Sequence, residues 1–228
     1  MTPRQRAREQ AMADIKRIAR EQLAVQGGAA LSLRAIAREL GIVSSAMYRY
    51  VPSRDELLTM LIEDAYNAVG DVAEAADAAC ERADAAGRWK AIGTAVRDWA
   101  VASPSEYALI YGSPVPGYAA PPDRTIAPGT RVTRLLIGVI SEVDSAYAGP
   151  NPPMPPTVIE DVRRIREGLG ARGDDDLVAR AVLAWTAVFG LISFELFGQF
   201  EGGVHDRAAH FEHQLDRLAL LIGLSPTG

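Results

Sequence analysis

The sequence has little of the chemistry that disulfide-rich, metal-binding or membrane-spanning proteins need. One cysteine and three histidines in 228 residues exclude an internal disulfide framework and a multi-thiolate metal cage. The longest uncharged apolar stretch, from Ala181 to Phe194, ends at Glu195 and is shorter than the roughly 20 residues that cross a bilayer. No apolar segment follows the basic first residues, MTPRQRAREQ, so no signal peptide is predicted. We therefore expect a cytoplasmic protein.

The short motifs of common enzyme classes are also absent from the sequence. There is no P-loop, dinucleotide fingerprint, Gly-x-Ser-x-Gly elbow or metalloprotease helix. His210 and His213 share a helix face at i, i+3 spacing, but no carboxylate-rich cage is evident around them. We therefore expect no catalytic site, no cofactor and no metal.

Acidic and basic side chains are unevenly distributed along the chain. The whole sequence carries 24 Lys and Arg against 29 Asp and Glu, a net charge of −5. Residues 1–54 nevertheless hold ten bases and four acids, a net charge of +6, which leaves −11 on the remainder. One interpretation is a basic contact module for nucleic acid on an acidic body. The other is chance clustering of charges on solvated helix faces.

Apolar residues recur at helical spacing through nearly the whole chain, and no alternating strand pattern persists. Ten of the fourteen prolines lie between Pro114 and Pro156, in two groups that we expect to be loops. Beyond residue 52, helices are predicted at about 53–86, 88–102, 106–111, 130–147, 157–167, 174–200 and 205–221. The fold class is therefore predicted to be all-α.

The most informative segment covers residues 32–58, SLRAIARELGIVSSAMYRYVPSRDELL. Ser32 can cap a short helix that ends before Gly41, and a second short helix at about Ser44–Tyr50 ends before Pro52. Two short helices joined by a glycine-containing turn describe a helix-turn-helix, whose second helix enters the major groove of DNA. The alternative is an αα-hairpin inside a helical bundle.

Side chains on and around the second short helix suit contact with DNA. Hydroxyl and guanidinium groups bind phosphate oxygens or base edges, and apolar side chains touch thymine methyl groups. The two tyrosines could instead be half-buried packing residues. The basic start of the chain either adds phosphate or minor-groove contacts or is disordered. The predicted DNA-binding residues are Ser32, Arg34, Val43, Ser44, Ser45, Met47, Tyr48, Arg49, Tyr50 and Arg54.

This segment resembles the DNA-binding segment of the TetR-type transcriptional regulators. Their pattern is a serine or threonine, an apolar-periodic helix with Ala-x-x-x-Gly-Val-Ser, then Tyr-x-x-Phe and Ser-Lys-x-x-Leu. The corresponding residues here are Ser32, residues 37–41, residues 48–51 and residues 53–57. Three departures are small: Val43 is inserted where the family often has serine, Tyr50 stands where histidine or phenylalanine is common, and Arg54 replaces the usual lysine with its charge kept.

The resemblance implies an N-terminal three-helix DNA-binding domain over residues 10–56, linked by a long helix to about residue 86. A larger helical ligand-binding and dimerisation domain is implied over residues 57–228. Such a regulator is expected to be a homodimeric repressor on a palindromic double-stranded DNA operator, released by a small apolar effector molecule. The alternative is a helical ligand-binding or scaffold protein that does not bind DNA.

The C-terminal part resembles a subset of that family with a Trp-x-x-x-His-Gly signature. Trp185 and Gly190 are in place, but Phe189 stands where histidine is usual, which removes a polar contact to a ligand. Aromatic wall candidates for an apolar pocket, each of which could also be core, are Trp89, Trp99, Tyr107, Tyr111, Phe189 and Phe194. The resemblance also implies that the last two long helices pair with their copies, through Ala181, Trp185, Val188, Ile192, Leu196, Leu215 and Leu218.

Overall fold

The computed structural model describes residues 1–142, 149 and 152–224, and these residues contain α-helices and no β-strand. This confirms the all-α fold class. Glycines, prolines and side-chain caps delimit the helices, as the sequence predicts. The helices are α1 (Pro3–Gln26), α2 (Leu33–Glu39), α3 (Ser44–Tyr50), α4 (Arg54–Ala78), α5 (Ala85–Ala102), α6 (Pro104–Tyr111), α7 (Pro122–Gly129), α8 (Arg131–Ile140), α9 (Pro156–Leu169), α10 (Asp175–Leu196) and α11 (Arg207–Leu221).

Three helices differ from the sequence-based expectation. The helix predicted to reach residue 86 ends at Ala78. A separate helix, α5, begins after Asp84, whose side chain accepts the Gly87 N–H at 2.8 Å as a cap. Helix α7 lies in a proline-rich segment expected to be a loop, since Pro122 occupies the first helical position, where no N–H is needed. Helix α8 ends at Ile140, and the rest of the predicted helix, residues 143–147, lies outside the described residues.

The first of two compact units comprises residues 1–67 and 103–129. Its core joins α1, α2, α3 and the start of α4, and three side chains from the later segment pack against it: Leu109, Val115 and Tyr118. The sequence-based division instead assigned residues 103–129 to the second domain. The side chains that fill the core are Ile15, Ile18, Leu23, Ile36, Met47, Leu57, Leu58 and Leu61.

Two arginines also fasten the 103–129 segment to the rest of the first unit. Arg20 on α1 donates to Glu106 on α6 at 2.6 Å. Arg124 on α7 donates to Glu56 at 2.8 Å and to Glu63 at 2.5 Å, both on α4. The hydrogen bond from Arg124 holds the pKa of Glu63 below its usual value. The segment is therefore anchored by charge as well as by apolar packing.

The second unit comprises residues 68–102 and 130–228, and α5 is its central helix. The buried Trp89 indole on α5 donates to the Leu215 carbonyl oxygen of α11 at 3.0 Å. Arg97 on α5 forms two hydrogen bonds of 2.7 and 2.6 Å with the buried Glu195 of α10. Its guanidinium also lies over the Phe211 ring, 5.7 Å from the centroid. These contacts hold α10 and α11 against α5.

Helix α10 is long and apolar enough, by length and composition, to cross a membrane. Within the second unit it behaves as a core helix on one side: Ala181, Ala184, Val188 and Ile192 are buried. Only a third of its most apolar stretch is buried inside the chain, however. The opposite side includes the exposed Leu183 and Phe194.

Candidate nucleic-acid interface

Helices α2 and α3 form a helix-turn-helix whose turn requires a glycine. Gly41 adopts φ +66°, the left-handed conformation that favours glycine, directly after α2. The Ile42 N–H then donates to the Ala37 carbonyl oxygen at 3.0 Å, which satisfies the end of α2. At the other end, the Ser32 hydroxyl accepts the Ala35 N–H at 3.3 Å. Both short helices are therefore locally specified.

The outer face of α3 carries most of the predicted DNA-binding residues. Val43 is 70% exposed just before the helix, and Ser44, Ser45, Tyr48 and Arg49 are exposed on it. Positions 44, 45, 48 and 49 share one side of an α-helix. The structure thus brings these residues together as a single surface, and Arg34 is exposed on α2.

Met47 does not belong to that surface, and its prediction as a DNA contact was wrong. Its side chain has no exposed area and packs in the core of the first unit. A side chain without exposed area cannot touch a thymine methyl group. Tyr50 is half-buried against the same core, as the packing alternative for the tyrosines expected.

Arg54 and Ser32 form hydrogen bonds with other residues of the first unit. The Arg54 guanidinium donates to the carbonyl oxygens of Gly28 and Ala29, at 2.8 and 3.2 Å. These bonds tie α4 to the connection between α1 and α2, and the phosphate contact of this side chain stays a prediction. Ser32 caps α2 with its hydroxyl, and its own N–H donates to the Gln22 side chain at 3.1 Å.

Sequence reasoning underestimated the first helix. The chain begins α1 with a reciprocal capping box: Thr2 accepts the Gln5 N–H, and the Gln5 side chain accepts the Thr2 N–H. Arg4, Arg6 and Arg8 therefore stand on an ordered helix instead of a disordered arm. A threonine followed three residues later by glutamine was the sequence signal that could have indicated this.

The arginines of this region fall into two groups. In residues 1–54, ion pairs are formed by Lys16, Arg17, Arg20 and Arg54. The others have no ion pair within the described ranges, and all six are exposed to solvent: Arg4, Arg6, Arg8, Arg34, Arg38 and Arg49. Arg38 was not among the predicted residues. Unpaired guanidinium groups on one module are suited to a polyanion, because no internal carboxylate has to be displaced.

The predicted pocket residues are distributed over both units. Tyr107 and Tyr111 belong to the first unit, where burial raises the pKa of the Tyr111 phenol. In the second unit, Trp89 lines an open cleft of about 320 Å³ together with Lys90, Asp216, Ala219 and Leu220. Trp99 and Phe189 are half-buried there, whereas Phe194 is exposed.

Trp185, in the signature segment, has an unused hydrogen-bond donor. Its indole N–H is buried and has no hydrogen-bond partner in the part of the chain that the structure describes. The ring contacts Phe189 edge-on, with centroids 6.0 Å apart. A buried donor without a partner is unfavourable unless another molecule supplies the acceptor.

The residues expected at the dimer interface lie mostly on the inner face. Four of them were assigned wrongly, because they have at most 2% of their surface exposed in the single chain: Ala181, Val188, Ile192 and Leu215. Trp185, Leu196 and Leu218 are half-buried. Between residues 174 and 221, the large apolar side chains that are exposed are instead Leu183, Phe194, Phe197 and Leu220.

Two family models and several relatives match the chain. "Bacterial regulatory proteins, tetR family" covers residues 16–61, and "Tetracyclin repressor-like, C-terminal domain" covers residues 89–218. The HTH-type transcriptional regulator Rv1816 of Mycobacterium tuberculosis is 47% identical over 205 residues, 86% of this chain and 85% of the relative. The crystal structure of the regulatory protein SCO4313 is 37% identical with a TM-score of 0.78, covering 95% of this chain and 98% of that one. A tetR family regulator from Shewanella, 16% identical with a TM-score of 0.58 over 96% and 99% of the two chains, shares the fold.

Proposed function

The chain belongs to the TetR family of bacterial transcriptional regulators, and from this premise we propose that it is a homodimeric repressor released from a palindromic operator by a small apolar molecule. Family membership itself makes the protein a DNA-binding regulator and not an enzyme. A helical scaffold without DNA function is therefore set aside. Beyond family membership, we propose that the protein represses transcription, binds an effector, forms a dimer and is located in the bacterial cytoplasm.

The outer face of α3 is the observation that carries the proposal. The exposed Val43, Ser44 and Ser45 at the beginning of the helix are suited to base edges, since the N-terminal residues of a reading helix contact bases. Tyr48 and Arg49 follow one turn later with a hydroxyl and a guanidinium, groups that bind phosphate oxygens.

An exposed apolar stripe on α10 supports the homodimer. Leu183, Ala187, Gly190 and Phe194 recur at spacings of four, three and four residues, which places them on one side of the helix; Leu183 and Phe194 are exposed, and Ala187 and Gly190 are half-buried. A second copy of the chain could bury this stripe in a self-complementary interface. Two-fold symmetry would present two copies of α3 about 34–36 Å apart, one turn of duplex, or further for a longer operator, and would require a palindromic site.

Two features of the second unit support a small apolar effector. The open cleft beside Trp89 has a volume near the lower end of those of ligand pockets, and Ala219 and Leu220 add to its apolar wall, next to the charged Asp84, Lys90 and Asp216. The unpartnered indole N–H of Trp185 offers one hydrogen bond to an acceptor on a ligand. Such a molecule changes DNA affinity only as far as it binds the DNA-free arrangement more tightly than the DNA-bound one.

Fluorescence anisotropy with labelled DNA from upstream of the chain's own coding sequence tests the DNA-binding surface. Tyr48→Ala with Arg49→Ala is expected to weaken binding at least about 100-fold, on the scale of a few kcal/mol for lost phosphate and base contacts. Arg164→Ala, an exposed arginine of the second unit, is the matched control and should bind normally. Thermal unfolding should be the same in all three proteins, because the substituted side chains are exposed. Binding by the double variant within threefold of the wild type contradicts the assignment.

A reporter gene behind the same upstream DNA tests the direction of regulation. Repression predicts higher reporter expression without the regulator than with it. A thermal-shift screen of small apolar compounds then searches for the effector, since a ligand of the folded state raises the unfolding temperature. A hit that stabilises the protein but leaves the anisotropy titration unchanged would contradict its assignment as an effector.

A further inference from the structure

A second group of basic residues adjoins the outer face of α3. Arg4, Ala7 and Arg8 of α1 and Arg49 and Tyr50 of α3 line an open cleft of about 340 Å³, here called the arginine cleft. Positions 4, 7 and 8 share one side of α1, and the small side chain at position 7 leaves room between the two arginines. The cleft thus combines the beginning of α1 with the end of α3.

The α1 wall of the arginine cleft is ordered. The capping box of Thr2 and Gln5 starts the helix at Pro3, with the Thr2 N–H donating to the Gln5 side chain at 2.7 Å. Arg4 and Arg8 are therefore presented from a helix instead of a random coil. Less conformational entropy is lost when such side chains bind a ligand.

The charge of the cleft is not neutralised from within the protein. Arg4, Arg8 and Arg49 form no ion pair with any residue in the described ranges. Arg20 and Arg124 in the same unit each contact two carboxylates. Three guanidinium groups that line one cleft repel one another until an anion lies between them. Guanidinium forks match the oxygens of a phosphate group.

We propose that the arginine cleft binds a backbone phosphate of the operator DNA, beyond the bases that the beginning of α3 reads. The inference rests on the proposed function, because Arg49 belongs both to the outer face of α3 and to the cleft. The N-terminal residues of a reading helix face the bases, so a basic cleft at its C-terminal end meets the sugar–phosphate backbone. The cleft lengthens the DNA segment that each protomer holds, without adding sequence information.

The test compares Arg4→Gln with Arg8→Gln against the single control Arg6→Gln. Arg6 lies on the same helix turn and is exposed and unpaired among the described residues, but it does not line the cleft. The probe is a 40-base-pair duplex obtained by selection from a random library with the wild-type protein. Thermal unfolding checks the fold, and the double variant should not unfold earlier, because it loses a like-charge pair at i, i+4.

The double variant should bind the selected duplex roughly 10-fold or more weakly in about 0.1 M salt. The slope of log affinity against log salt should become shallower by about 1.8, because a dimer has two clefts and each phosphate contact contributes about 0.9. Arg6→Gln should bind within twofold of the wild type. Ethylation of single phosphates should identify one symmetric pair that matters to the wild type and to Arg6→Gln but not to the double variant.

A loss of binding free energy in Arg6→Gln that is half of the double variant's loss or more would mean diffuse attraction in proportion to the charge removed, and would overturn the cleft. An unchanged salt slope or an unchanged ethylation pattern in the double variant would overturn it as well. Inorganic phosphate that displaces the duplex from the wild type, but not equally from the double variant at matched ionic strength, supports it. A wild-type protein that enriches no duplex contradicts the proposed function itself, whereas enrichment with no difference between variants contradicts the cleft alone.

Discussion

Truncating the apolar stripe of α10 should convert the proposed dimer into a monomer. The perturbation is Leu183→Ala together with Phe194→Ala, two side chains that are 55% and 53% exposed in the single chain. Alanine is the best helix former, so α10 itself should not be weakened. The buried residues of α10 are left untouched, and the folded chain therefore keeps its core.

The expected magnitude follows from the exposed area. Complete burial of a leucine or phenylalanine side chain stabilises a folded or associated state by about 1.5–3 kcal/mol. Burial of the exposed half of each side chain in the interface therefore contributes about 1 kcal/mol or slightly more to the free energy of dimerisation. Two-fold symmetry places four such side chains in the interface, which makes about 3–5 kcal/mol in total. At about 1.4 kcal/mol for each factor of ten, the dimer dissociation constant should rise by about three orders of magnitude.

Analytical ultracentrifugation over a concentration series measures this change directly. The wild type should sediment as a dimer at micromolar concentration, and the double variant as a monomer with the same helical circular dichroism. Val158→Ala on α9, an apolar side chain that is 40% exposed and is not part of α10, is the matched control and should remain dimeric.

The result that refutes this reasoning is a double variant whose dimer dissociation constant rises less than tenfold while its helix content is unchanged. The interface would then lie on another surface. A wild-type monomer at micromolar concentration would refute the homodimer altogether.

Three further predictions concern single side chains. Met47→Ala should lower the free energy of unfolding by about 2–5 kcal/mol in chemical denaturation without changing base preference, because the side chain is fully buried. A changed base preference at normal stability would mean that it touches DNA. Glu63→Gln should destabilise the protein at pH 7, and the difference from the wild type should shrink as the pH falls below the usual range of a glutamate, because Arg124 lowers the pKa of Glu63 and this stabilisation is lost as the carboxylate is protonated. If the wild type and Glu63→Gln became equally stable only at alkaline pH, the predicted direction of the pH dependence would be wrong. Gly93→Ala should destabilise by about 1–2 kcal/mol, since a Cβ would lie 2.7 Å from Leu215 and overpacking outweighs the gain in helix propensity; a higher melting temperature would contradict this.

The helix-turn-helix could be located from the sequence because its determinants are local. Ser32, Gly41 and Pro52 act within a few residues of their own positions, and the structure uses Ser32 and Gly41 as expected. The side chains that α3 exposes could not all be predicted. A seven-residue helix has too few turns for its apolar pattern to separate Met47, which is buried, from Val43, which is not.

The role of Arg54 illustrates a second limit of sequence reasoning. A basic residue next to the helix that reads DNA is typical of a phosphate contact. Its partners are the carbonyl oxygens of Gly28 and Ala29, more than twenty positions earlier in the chain. Such a pairing leaves no local pattern in the sequence.

The sequence by itself determined that the chain is helical and that a basic segment, residues 1–54, precedes an acidic remainder. It also determined that the basic segment carries a helix-turn-helix. Caps, turn glycines, prolines and charges determine structure within one or two helical turns of their own positions. Only the tertiary structure decided which side of α10 is core, because that helix is apolar nearly all round. The choice depends on neighbours distant in sequence, such as Arg97, which pairs with Glu195 across 98 positions. The same packing leaves Leu183 and Phe194 outside, where a second chain can cover them.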